Sequence, residues 1–126
     1  GAEVETPHGV LSVGPPRSLH GHTEAGEAGF SVDSNRETAD VRALAGPLRL
    51  RPWREGDRFQ PLGMDGTVLV SDLLTNRRVP PDQRSRQLVL TSGGEIVWVV
   101  GHRLAEAARV TDASREVVSL VWRPRG

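Results

Sequence analysis

Five consecutive apolar residues, Ile96-Val97-Trp98-Val99-Val100, constrain this chain more than any other stretch. Successive side chains of a strand point to opposite faces, so a run without polar alternation has to be covered on both sides. A second run, Leu88-Val89-Leu90-Thr91, precedes it across Ser92-Gly93-Gly94, and the pair reads as a β-hairpin. That hairpin belongs in the middle of a core, where each side chain of this size contributes about 1.5–3 kcal/mol on burial. The 126 residues suffice for one domain with one core, and residues 1–126 are read as a single unit.

The elements expected around the hairpin are short. Glu3–Thr6 and Val10–Val13 alternate and flank Pro7-His8-Gly9, a second hairpin. Residues 14–29 have no apolar period and read as a long loop. His20 and His22 lie in it, but a His-x-His pair without further ligands fits a solvated loop better than a metal site. Gly29-Phe30-Ser31-Val32 suggests a short strand, and Asp33-Ser34-Asn35 could cap a brief helix through Leu44, stopped at Gly46. Leu48-Arg49-Leu50-Arg51 predicts a strand with leucines inward and arginines outward. Val68-Leu69-Val70 predicts another, followed by a helix capped by Ser71 that buries Leu73 and Leu74 and carries Arg77 and Arg78 near its end. Val79-Pro80-Pro81 stops that helix and starts a short one, residues 81–87, exposing Arg84 and Arg86. Residues 104–109 suggest a helical turn, and Val117–Trp122 a last strand with Val118, Leu120 and Trp122 on one face. The class is α+β, strand-dominated, with short helices.

Charge is unevenly distributed. Net charge is zero, yet residues 1–41 carry seven acids against two arginines, and residues 42–126 carry fourteen arginines against nine acids. The imbalance points to an anionic partner for the later part of the chain. Every cation is Arg, the side chain best suited to bidentate phosphate contact. Eight of the sixteen arginines fall within residues 49–86, around a segment punctuated by Pro52, Gly56, Pro61, Gly63 and Gly66. Such a segment is a chain of turns, and polar turns on a scaffold often carry contacts. Basic groups interleaved with Trp53 and Phe59 fit RNA, through phosphate contacts and stacking. The same rings serve equally as core anchors, and the same arginines as an ion-paired solvated face.

Catalytic chemistry finds little support. Without Lys there is no phosphate-binding Gly-x-x-x-x-Gly-Lys loop, and there is no His-Glu-x-x-His. Ser92-Gly93-Gly94 matches the start of the PP-loop pyrophosphatase motif, but Ile96 and Val97 stand where its Asp and Ser belong. Asp57 is flanked by Arg54 and Arg58, which favours an ion-pair anchor over a general base. No catalytic residue and no metal ligand is assigned. The absence of Cys excludes disulfides, no apolar run reaches membrane-spanning length, and the default compartment is the cytoplasm.

Taken together, residues 47–110 resemble the C-terminal domain of the tRNA(Ile)-lysidine synthetase family. Arg51-Pro52-Trp53-Arg54-Glu55-Gly56-Asp57-Arg58-Phe59-Gln60-Pro61-Leu62-Gly63-Met64 is similar to its R-x-W-x-x-G-D-R-F-x-P-x-G-M signature. Gly66, Ser71-Asp72-Leu73-Leu74, Arg78-Val79-Pro80 and Arg84 follow in order, and Ile96-Val97-Trp98-Val99-Val100-Gly101-His102-Arg103 is similar to I-x-W-V-x-G-x-R. Residues 1–46 match only loosely. One departure stands out: Val68-Leu69 occupy the place of a usual Lys-Lys pair.

The resemblance implies a layered β-sandwich with short flanking helices, shared with a domain of phenylalanyl-tRNA synthetase. It implies a piece of an enzyme that attaches lysine to C2 of the wobble cytidine of tRNA(Ile), using ATP and Mg in an N-terminal PP-loop domain absent from this chain. The expected partners are tRNA(Ile) and that catalytic domain, with no membrane and no cofactor in this piece. Arg51, Arg54, Arg58, Arg77, Arg78 and Arg84 are the candidate acceptor-stem contacts. Trp53, Gly56, Asp57, Phe59, Gly63 and Gly66 are the candidate turn and anchor positions. The alternative is a protein-interaction or structural module of the same fold without RNA contact.

Overall fold

A computed structural model of the chain describes residues 1–19 and 35–125. The long apolar hairpin is β8 (Leu88–Ser92) and β9 (Glu95–Val99), and Ile96 through Val100 are all buried. Flanked by β5 (Leu48–Pro52) and β10 (Arg103–Leu104), it forms an antiparallel sheet in the order β10-β9-β8-β5. Both of its faces are covered, as the continuous apolar run requires. Pairing shifts between Leu90 and Thr91: Leu90 sits opposite Trp98 and Thr91 opposite Ile96, so Val97 is an inserted residue. A bulge places two neighbours on one face, and Val97 and Trp98 accordingly enter the same core while Ile96 and Val99 enter the other.

The first covering layer is a sheet built on β11 (Glu116–Pro124). β1 (Ala2–Thr6) and β2 (Gly9–Val13) form the expected hairpin, and β2 pairs with β11. β3 (Arg17–Ser18) continues along the same edge, while β4 (Arg36–Asp40) takes the other, so Val117 pairs with both Arg17 and Asp40. Leu11, Ala39, Val118 and Leu120 from this sheet meet Leu88, Leu90, Trp98 and Val100 from the central one. The second covering layer is a small ribbon, β6 (Arg58–Phe59) with β7 (Val68–Leu69), continued by α1 (Val70–Asn76). Phe59, Val70 and Leu74 close over Val89, Ile96 and Val99. A short α2 (Pro81–Arg84) follows.

Several expectations need correction. The helix over residues 33–44 is not formed where the structure describes it: Arg36–Asp40 is strand β4, and only Val41–Leu44 forms a 3-10 turn. Asp40 caps that turn by accepting the Arg42 backbone N–H at 2.9 Å, and it also accepts the Ser114 hydroxyl at 2.7 Å. The strand wins because Glu37 and Ala39 alternate toward the core opposite Leu120 and Val118. Ser71 is not an N-cap; α1 begins two residues earlier than a Ser71 cap implies, after Leu69, because the Val70 N–H is already satisfied by the Asp57 carbonyl at 2.9 Å. α2 ends at Arg84 rather than Gln87, residues 104–109 form only a 3-10 turn at Glu106–Ala108, and Leu48 points outward at 43% exposure on a sheet edge. The strand expected at residues 29–32, most of the 14–29 loop and the His20/His22 pair lie outside the described residues.

Glu37 has a consequence for stability. It shares a strand face with buried Ala39, and burial pushes its carboxyl up to about 7 against the opposing pull of Arg103. A raised carboxyl favours folding while it stays protonated, fully below its ordinary 4.5, and loses that contribution as pH rises through about 7. Glu37→Gln should therefore gain stability over the parent chain above neutrality and match it in acid. Urea denaturation across pH checks this, and equal pH profiles would refute it.

Candidate nucleic-acid interface

Asp57 organises the turn-rich segment. Its two carboxylate oxygens receive Nη1 and Nη2 of Arg51, each at 3.0 Å, and Oδ2 also receives the Arg54 backbone N–H at 2.7 Å. The Asp57 N–H returns to the Arg54 carbonyl at 3.1 Å, closing the turn. Burial by itself would raise this carboxyl, but the Arg51 and Arg54 hydrogen bonds and their charges outweigh it, so it lies below its ordinary value. Gly56 stands within the turn at φ +89° and Gly63 in the next at φ +84°, conformations that a side chain disfavours. Gly66 has no positive φ and open space around it, so nothing local demands glycine there.

A second brace joins Trp53 to Arg84. The Trp53 indole N–H donates to the Arg84 carbonyl at 2.8 Å, and the Arg84 guanidinium carbon lies 5.2 Å from the Trp53 ring centroid. That guanidinium also donates to Thr75 Oγ1 at 3.0 Å and the Ser71 carbonyl at 3.3 Å, which ties α2 to α1. Trp53 and Phe59 both pack into the outer core, Phe59 almost completely buried.

The predicted arginines thus divide into two groups. Arg51 and Arg84 are part-buried and bonded within the protein. Arg54, Arg58, Arg77 and Arg78 are exposed and belong to the same outer layer, in the turn, on β6 and just beyond α1. Arg58 has one further contact, Nε to Thr67 Oγ1 at 3.4 Å. Arg78 adopts φ 56°, which turns the chain sharply after α1. Val68 and Leu69, at the place of the usual lysines, line a groove of about 330 Å³ with Arg58, Asp72, Leu73 and Asn76.

Sequence reasoning missed two features of this region. Glu106 accepts the Gly63 N–H at 2.7 Å and pairs with Arg109 at 2.8 Å, bonds that lower its carboxyl and hold the second turn. Its i, i+3 spacing from Arg109 was a readable signal. His102 is held below the usual imidazole range, by burial first and then by the Arg77 charge. Nothing in the local pattern marked it. Among the described residues no cluster of His, Asp and Glu could hold a metal ion, and no helix is long and apolar enough to cross a membrane.

A profile of the TilS substrate C-terminal domain matches residues 48–122. The chain belongs to that family. Proteins named tRNA(Ile)-lysidine synthase are its relatives: one from Bacteroides thetaiotaomicron is 35% identical over 91 residues, covering 71% of this chain and 21% of the relative. One from Parabacteroides distasonis is 36% identical over the same span and coverage, and one from Geobacter sulfurreducens is 39% identical over 87 residues, 69% of this chain and 18% of the relative. The chain therefore spans about a fifth of the length of these curated relatives. A crystal structure of a TilS C-terminal domain has the same fold, with a TM-score of 0.75 at 20% identity over 99% of this chain and 92% of that one. An N-terminal fragment of the phenylalanyl-tRNA synthetase β-subunit from Pyrococcus horikoshii follows at 0.68 and 14%, over 92% of this chain and 39% of that one. The layered sandwich and the fold it shares with the synthetase fragment are as the family resemblance implied.

The Asp57 network has a definite pH signature. A lowered carboxyl contributes stability that is complete above its ordinary 3.8 and is lost as pH falls through the depressed native value. Asp57→Asn should lose about 1.5–3 kcal/mol at neutral pH, the range for charge-assisted hydrogen bonds, and should destabilise less steeply than the parent chain in acid. Denaturation at pH 7 and below 3.8 tests both parts. Unchanged neutral stability would remove Asp57 from its central place.

Proposed function

We propose that this chain is the tRNA-gripping part of a tRNA(Ile)-lysidine synthetase, meeting the acceptor region of tRNA(Ile) in the cytoplasm. The observation that carries this reading is the set of four exposed arginines, Arg54, Arg58, Arg77 and Arg78, on one outer layer. A-form RNA is met mostly through phosphates and 2′-hydroxyls, and arginines in a fixed layer suit such contacts without reading sequence. Arg51 and Arg84, also candidates from the sequence, are assigned here to holding that layer in place. Lysine attachment to the wobble cytidine, with ATP and Mg, is assigned to the enzyme's PP-loop domain. This piece would keep the tRNA in register for that domain.

A second reading has one specific observation in its favour. Val68-Leu69 replace the family's paired lysines, and the groove they line is partly apolar, with Met64 nearby at 44% exposure. That face suits a protein surface better than a phosphate, so a module without RNA contact remains the competing account.

The two readings separate in a titration. Arg54→Ala/Arg58→Ala should weaken tRNA binding and flatten its salt dependence by roughly 0.7–0.9 per lost phosphate contact in the slope of log K against log salt. Unchanged affinity at two salt concentrations would sink the RNA reading. The isolated chain should also show no ATP–pyrophosphate exchange, because it has no Lys and no complete PP-loop motif. Exchange by the pure chain would overturn the division of labour.

A further inference from the structure

At one end of the sandwich the two sheets part around a cavity of about 510 Å³. The β1–β2 turn and the end of β11 form one wall, the start of β8 and end of β9 the other, and α2 closes the side. None of Arg54, Arg58, Arg77 and Arg78 lines it. We propose that this cavity takes one unpaired nucleoside phosphate, its base against Trp122 and its phosphate on Arg86 and Arg125.

Four properties of the cavity support this ligand class. Its volume falls within the roughly 300–1,000 Å³ of small-ligand sites. Its cations Arg86 and Arg125 outnumber its one acid, Asp82, as an anionic ligand requires. Leu88, Val100 and the half-buried indole of Trp122 give it an apolar and aromatic wall on which a base can stack. The edge of that indole presses on the hairpin: a Cβ at Gly9 would stand 2.7 Å from Trp122 Cζ2 and 2.5 Å from the Arg123 carbonyl. Glycine at that position thus lets the ring lie against the backbone.

The fourth property concerns His102. Its Nδ1 is buried without a hydrogen-bond partner, and the residue lines the cavity. Unsatisfied buried polar atoms are rare and call for an explanation. Burial and Arg77 lower this imidazole, and Nδ1 gains a partner only if the ring turns toward a base edge in the cavity.

The inference rests on the tRNA-binding reading, and the unpaired nucleotide could come from an RNA strand end or from a free mononucleotide. The 126-residue chain is titrated with two RNA hairpins of identical stem, one blunt and one with a short single-stranded 3′ extension, and separately with AMP. The extension should tighten binding about tenfold, the contribution of one stacked base. Arg86→Ala and His102→Ala should each remove most of that gain and leave the blunt hairpin's affinity unchanged. The His102 imidazole and Trp122 indole NMR resonances should shift with the extended RNA. Shifts with AMP and no gain from the extension would keep the nucleoside-phosphate site and assign it to a free nucleotide. No response of these resonances to either ligand, or full retention of the gain in Arg86→Ala, overturns the proposal. A blunt hairpin that fails to bind rejects the duplex reading instead, while the resonances still decide the cavity.

Discussion

Asp57 is asked to do three things at once. Its carboxylate accepts both guanidinium nitrogens of Arg51 from the edge of the central sheet and the backbone N–H of Arg54 across the turn. Its carbonyl accepts the first free N–H of α1, from Val70. An edge strand of the central sheet, a turn and a helix thus meet at one residue, and an ionised carboxylate with oriented donors is among the stronger hydrogen-bonding groups in a protein. The surrounding layer is small: β6 and β7 are two residues each and α1 is seven. Elements that short have little stability of their own. They persist because Phe59, Val70 and Leu74 seal the outer face of the central sheet, and because Asp57 sets where they start.

That arrangement also divides the arginines of this layer into bonded and exposed ones. Arg51 is consumed by Asp57, and Arg84 by Trp53, Thr75 and Ser71. The bonded arginines fix the geometry, and the exposed ones, Arg54, Arg58, Arg77 and Arg78, inherit fixed starting points from it. Glu3 pairs with Arg123 and Glu106 with Arg109, while Asp72 stays in the layer and lines the groove with Arg58. Net charge is a poor guide here because the acids outnumber the arginines in residues 1–41 and the arginines outnumber the acids in the rest.

Much of the architecture was legible because it depends on local pattern. The run Ile96–Val100 had to be central, and the Gly93-Gly94 turn had to fold it back on Leu88–Ser92. The first hairpin and the last strand followed from alternation and turn residues. The failures have a common form. Asp33-Ser34-Asn35 offer plausible caps for a helix over β4, whereas its conformation is set by pairing with β11, some eighty residues away. α1 starts at Val70 because of a carbonyl thirteen residues earlier, a partner that no capping rule includes.

The sequence by itself determined the strand-rich class, the buried hairpin, the glycine turns at Gly56 and Gly63, and the family, since each is carried by residue types at fixed short spacings. Tertiary structure alone decided which arginines are free. Arg51 and Arg54 look alike in the chain, yet one faces a carboxylate on the protein and the other faces solvent. Only the tertiary structure gathered Arg86, His102, Trp122 and Arg125 around one cavity, because they come from the turn after α2, the loop after β9 and the end of β11, which meet only when both sheets have closed. The bond that consumes a charge is a long-range contact, and local pattern carries no record of its partner.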